Sequence, residues 1–266
     1  MLGHLMKRFK DHSLIDLAAQ CAYFFLLSLF PFLLFIISLL SFLPFTFNDV
    51  YSLLQEAYVP AGVLEVVENQ WEVLANNRST SVLSLGILFT LWTASLALNS
   101  ILRALNMAYH VTERRGLILG RLISICLTIG MFFIIIVALS LQVVGSFLEN
   151  FMFIDFVIFN VDLLRWALSS VIIFTVFLIL YLIGPNTRLS FKEVYIGAIF
   201  ATVGWQITSF GFSIYLNRFA DFSATYGTIG TVIALMLWFH LSSIIILIGG
   251  EINAILKEDI VRTVKQ

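Results

Sequence analysis

Thr228 to Glu251 reads TIGTVIALMLWFHLSSIIILIGGE, 24 residues with one carboxylate, one imidazole and no lysine or arginine. An α-helix rises 1.5 Å per residue, so about 20 apolar residues cross a hydrocarbon core of roughly 30 Å. This stretch is long enough to do so. It predicts a transmembrane helix with His240 near its middle and Gly249-Gly250-Glu251 at its end. Ionisable groups are costly in lipid, so both are expected to face protein, water or a substrate.

The rest of the chain matches that reading. Of 266 residues, 60% are hydrophobic and 12% charged, with mean hydropathy +1.00 and net charge −1. Soluble domains carry about 25% charged residues. A near-neutral chain also has no basic field for nucleic acid. Apolar runs predict an all-α polytopic membrane bundle of about six spans, at 21–43, 82–105, 118–144, 165–184, 194–216 and 228–251. Residues 1–266 are read as one membrane domain. Barrel strands need only about 10 residues, far fewer than these runs supply. The first run exceeds a signal-peptide core and lacks a cleavage motif, so it is expected to stay as a span.

Positive charges orient the bundle. With the N-terminus inside, only Arg78, Arg165 and Arg218 of the 15 Lys and Arg residues fall outside. Both termini are therefore expected to be cytoplasmic. Residues 46–81 form the longest outer segment. There Val63, Val67, Trp71 and Leu74 recur at helical spacing, opposite Glu65, Glu68 and Glu72, which predicts an amphipathic surface helix.

Inside the spans, polar residues fall into stripes. Trp92, Ser95, Asn99, Arg103, Asn106 and His110 lie within about 80° of arc on one helix face. They form either the polar wall of a substrate path or a hydrogen-bonded seam with Arg103 snorkelling to the interface. In the fifth span Gly197, Ala201, Gly204, Thr208 and Gly211 make a small-residue face for close helix contact. Thr202, Gln206, Ser209, Ser213 and Asn217 lie roughly opposite. In the first span Ser13 is placed to cap the helix and Pro31 to kink it.

His240 and Glu251 share a face but stand ~16 Å apart along the axis, too far to pair. Glu251 lies at a depth similar to Arg103 and Asp16, and an inner charge cluster of these three is expected, because an unpaired buried charge is very costly. His240 is either a hydrogen-bonded interior group or a proton relay. Cys21 and Cys126 have no partner at ligand spacing and are read as packing residues. The histidines, His4, His12, His110 and His240, are scattered. No catalytic set, metal site or cofactor is expected.

Three separated stretches resemble the BrkB/YihY family of bacterial inner-membrane proteins. They are Tyr226–Leu241 with Gly249-Gly250-Glu251-Ile252-Asn253, Ala18–Pro31, and Trp92–Tyr109 with Glu113-Arg114-Arg115. The resemblance implies a six-helix protein of the bacterial cytoplasmic membrane. Family members have carried a ribonuclease BN label, are linked to serum resistance and are proposed to handle or export lipid. A nuclease finds no support in the residues, since metal-dependent hydrolysis wants clustered ligands and the cytoplasmic loops are short. Two functions remain. One is a transporter or flippase of a lipid or other amphipathic anion, its path lined by Asn99, Arg103, Gln206, Ser209 and His240. The other is a non-transporting scaffold or partner-recruiting subunit. Membrane lipids are the expected partners, nucleic acid is not, and the oligomeric state is left open.

Overall fold

A computed structural model describes residues 2–41, 68, 80–112, 118–130, 161–218 and 221–264. Every regular element among them is an α-helix: α1 (Leu2–Asp11), α2 (Leu14–Ser41), α3 (Thr80–Ala108), α4 (Ile118–Gly130), α5 (Val161–Ile183), α6 (Phe191–Arg218) and α7 (Asp221–Val264). Three stretches are long and apolar enough to cross a membrane: Ser84–Ala108, Phe191–Tyr215 and Val232–Glu258. Gly3–Asp11 with Leu14–Leu29, bent by 59°, makes a fourth if taken together. The chain is an all-α polytopic membrane protein. The expected outer segment at 46–81 and the far part of the third span, 131–144, lie outside the described residues, Glu68 and residues 80–81 excepted.

The ends of the helices follow local chemistry. Ser13 takes a left-handed φ of 48° where α1 stops, and its N–H bonds to Lys10 O at 3.1 Å. The sequence places Ser13 to cap α2 through its side chain. Its recorded role runs through the backbone instead: its carbonyl accepts the Asp16 and Leu17 N–H groups, opening α2. α3 ends in a Schellman turn about His110, φ 51°, with His110 N–H on Met107 O at 3.0 Å and Val111 N–H on Asn106 O at 2.9 Å. α6 begins with a capping box, in which Glu193 accepts from both the Ser190 N–H and the Ser190 hydroxyl, at 2.6 and 2.8 Å. α2 runs unbroken through Pro31.

Contacts divide the chain into two compact units. Unit 1 comprises Met1–Leu17, Leu98–Ile207 and Ile244–Gln266. Unit 2 comprises Ala18–Ala97 and Thr208–Ser243. In unit 2, Cys21 is buried with its thiol 3.9 Å from Ala97 O, and Phe25 meets Phe239 at 5.6 Å between ring centres.

Unit 1 is centred on Tyr181, which is 0% exposed and donates to Ile246 O at 2.7 Å. In hydrocarbon no hydrophobic drive joins helices, so close fit and hydrogen bonds must do it. Glycine supplies the fit. A Cβ on Gly249 would collide with the Tyr181 hydroxyl, one on Gly197 with Gly249 O, and one on Gly250 with Leu105. The adjacent glycines of α7 thus admit α5 and α6 on one side and α3 on the other. Of the expected small-residue face of α6, Gly197 and Gly204 do meet α7, at Asn253 and Ile245, whereas a Cβ on Gly211 would meet nothing within 4 Å. Asn253, 0% exposed, accepts the Gly197 N–H at 2.7 Å and fastens the same contact.

Gly249→Ala is expected to destabilise the protein by about 1–3 kcal/mol, the usual range for overpacking. Gly211→Ala is expected to leave stability unchanged or raise it by up to ~1 kcal/mol, since it replaces an exposed helical glycine. Thermal unfolding of the two variants in detergent compares them directly. Equal melting temperatures would remove the close contact as the reason for Gly249.

Candidate functional site

Among the described residues, buried charge gathers at one end of unit 1. Glu251, on α7, is 1% exposed. One of its carboxylate oxygens lies 3.3 Å from Arg8 Nη1, on α1, and the other 2.5 Å from His12 Nδ1, in the turn after α1. Arg8 is itself 7% exposed, and its second amine reaches Glu258 of α7 at 2.5 Å and His110 Nε2 at 3.4 Å. His110 stands edge-on to His12, 6.0 Å between ring centres, and 3.6 Å from Glu258. Arg8 also donates to Ala108 O at 3.0 Å. That carbonyl belongs to the last turn of α3, where helical partners run out and the dipole favours a cation.

A second layer of polar contacts surrounds this group. Asn106 Oδ1 accepts the Asn186 N–H at 2.6 Å, and Asn186 donates to Thr112 O at 3.3 Å, tying the α5–α6 connection to the end of α3. Lys257 reaches Glu193 at 3.2 Å and Arg188 O at 3.3 Å, and lies 6.0 Å over the Tyr109 ring. Burial, with Glu193 and Glu251 adding to it, pushes the Tyr109 hydroxyl well above the ordinary phenol range, so it stays protonated.

The structure brings Glu251 to Arg8 and His12. Sequence spacing points instead to Arg103 and Asp16. Asp16 is exposed on α2, and Arg103 is exposed on α3 with a donated bond to Ser100 Oγ at 3.2 Å. Arg8 lies in a helix that composition marks as too polar to span, so nothing in its local sequence singles it out as a buried partner. The signal available is the amphipathic pattern of α1, with Leu5, Arg8 and Phe9 turned inward and Met6, Lys7 and Lys10 outward.

The other candidate residues divide between two roles. Gln206 donates to Ser170 Oγ at 2.6 Å in unit 1, and Ser209 accepts from Trp238 Nε1 at 3.2 Å in unit 2. Both join helices. Asn99 is half-buried on α3 in unit 1, and His240 is half-buried on α7 in unit 2. The face of α3 that carries Asn99 also presents Arg103, Met107 and His110 as exposed side chains, while Ser95 and Asn106 turn inward. The expected stripe is therefore split into a buried edge and an open one.

Such a set of contacts, on helices of this length and polarity, defines a multi-span membrane protein with an ionic cluster at one end of unit 1. The chain belongs to the Virulence factor BrkB family, whose family model matches residues 5–266. It is 45% identical to the ribonuclease-like protein YfkH of Bacillus subtilis, over 96% of this chain and 94% of the relative. It is 32% identical to UPF0761 membrane protein PBPRA3489 of Photobacterium profundum, over 97% of this chain and 81% of the relative. No solved structure matches the chain.

Removing one partner of a buried pair costs about 3–5 kcal/mol, because the other charge is left without compensation. Glu251→Gln and Arg8→Met are each expected to show a loss of that order. The double variant should lose clearly less than their sum. A double-mutant cycle on thermal unfolding measures the coupling, and strict additivity would show that the pair is not joined. The same cycle with Arg103 tests the wider cluster with Asp16.

Proposed function

We propose that this protein is a transporter or flippase for an amphipathic anion, lipid being the leading class, in the bacterial cytoplasmic membrane with both termini inside. One observation carries the reading. Arg103 lies exposed in the apolar span Ser84–Ala108, one turn from half-buried Asn99. An arginine within an apolar span, near its expected inner boundary, is uncommon and often marks a path or binding surface. Its planar fork suits the phosphate or carboxylate of an amphiphile, and Asn99 adds an amide one turn deeper. His240 is the mid-span titratable group assigned to proton movement in this scheme.

A second reading, a scaffold that holds partners, draws support from Gln206 and Ser209. Their recorded bonds join helices rather than line an opening. The word "ribonuclease-like" belongs to the B. subtilis relative, and we assign this chain no catalytic role on its account.

The two readings part on abundance. Arg103→Gln and Asn99→Leu are expected to reduce translocation of a fluorescent anionic phospholipid in proteoliposomes by tenfold or more, about 1.4 kcal/mol, with membrane abundance and melting temperature near wild type. Loss of activity in step with loss of protein would favour the scaffold. Wild-type protein that moves no phospholipid and no other amphipathic anion would end the transport reading.

A further inference from the structure

The His110 ring stands where a proton decides what it binds. Its Nε2 lies 3.4 Å from Arg8 Nη2 and 3.6 Å from a Glu258 carboxylate oxygen, a cation on one side and an anion on the other. An arginine only donates hydrogen bonds, so the contact with Arg8 needs a lone pair on Nε2 and, in a neutral ring, the proton on Nδ1. A ring protonated at both nitrogens can serve only Glu258, and it sets two positive charges 3.4 Å apart. The same atom therefore faces α1 without the proton and α7 with it.

Position makes His110 the responsive member of the cluster. Its side chain is 62% exposed and exchanges protons with water, whereas the His12 side chain is 11% exposed. The recorded bond of His12 runs from Nδ1 to Glu251, at 2.5 Å. An N–H makes that bond in either charge state, since a neutral ring can carry its proton on Nδ1, and a second proton on Nε2 leaves it in place. The other charges nearby are matched: Glu251 by Arg8 and His12, and Lys257 by Glu193. Histidine ordinarily changes charge between about pH 5 and 8, above the range of the carboxylates.

Backbone geometry keeps the ring there, for His110 is the left-handed residue, φ 51°, that closes α3. Arg8 grips that end of α3 at two points, Ala108 O at 3.0 Å and the His110 ring. Protonation removes the second grip and makes the imidazolium compete with Arg8 for Glu258.

We propose that His110 Nε2 is a proton-binding site that latches α1 to the end of α3. Neutral, it holds Arg8; protonated, it releases Arg8 and turns to Glu258. The latch stands whether or not the protein transports anything. Acidification of the water at this end of unit 1 loosens α1 while the helices behind it stay packed.

The test uses full-length protein in phosphatidylethanolamine–phosphatidylglycerol nanodiscs, with amide hydrogen exchange followed by mass spectrometry at about pH 7.5 and about pH 5.5. Rates are divided by those of the unfolded peptide at each pH, which removes the intrinsic effect of acid. Residues 6–12 are expected to lose protection several-fold at the lower pH, while residues 194–207 of α6 keep theirs. His110→Gln retains an acceptor but takes no proton in this range, so it should abolish the difference. His110→Asn, which suits the left-handed backbone, serves if that variant does not fold. Equal protection of residues 6–12 at the two pH values in the wild type overturns the proposal. So does a loss that persists in both variants, which would place the responsive proton on the His12–Glu251 pair instead.

Discussion

A carboxylate 1% exposed in an apolar helix has to meet a cation, and Glu251 meets Arg8 on one oxygen and the His12 ring on the other. The rest of unit 1 follows from that need. To bring Arg8 there, α1 must turn back through the left-handed Ser13 and lie across the end of α3. To leave room, α7 must approach α5 and α6 at backbone distance, and Gly249 and Gly250 allow it. The cluster is not strong merely because it is ionic, since desolvation offsets much of the attraction between buried charges. Its effect is on position. An arginine that can satisfy Glu251, Glu258 and Ala108 O together has one place to be.

The helical class of this chain was legible in composition alone, because an apolar run of span length has few other uses. The polar stripes were legible as stripes, because 3.6-residue periodicity places Asn99 and Arg103 on one face whatever surrounds the helix. Partner choice was not legible. Glu251 and Arg8 are 243 residues apart, and no local pattern connects them. Depth matching suggested Arg103 and Asp16, but helix ends at similar depth number several in any bundle. Distinguishing among them requires the bend after α1, which depends on Ser13 taking a conformation that serine seldom adopts. The capping box at Ser190 and Glu193, by contrast, could have been read directly from its spacing.

Family membership and structure constrain different things. The match to the BrkB family over residues 5–266 places nearly the whole chain in one lineage of membrane proteins. The contacts show which polar residues are engaged in building the fold. Gln206, Ser209, Asn253 and Glu251 all have recorded partners within their own units. Asn99, Arg103 and His240 retain exposed surface.

The distance in sequence between Arg8 and Glu251 also sets a condition on biosynthesis. The chain leaves the ribosome N-terminus first, so Arg8 is made long before its carboxylate exists. Until the final helix is inserted, Arg8 has only Ala108 O and His110 of α3 among its partners, and neither of its carboxylates. Closure of the cluster therefore coincides with completion of the last span. A chain stopped before residue 251 would leave Arg8 without either of its carboxylates, a mark that separates unfinished protein from finished.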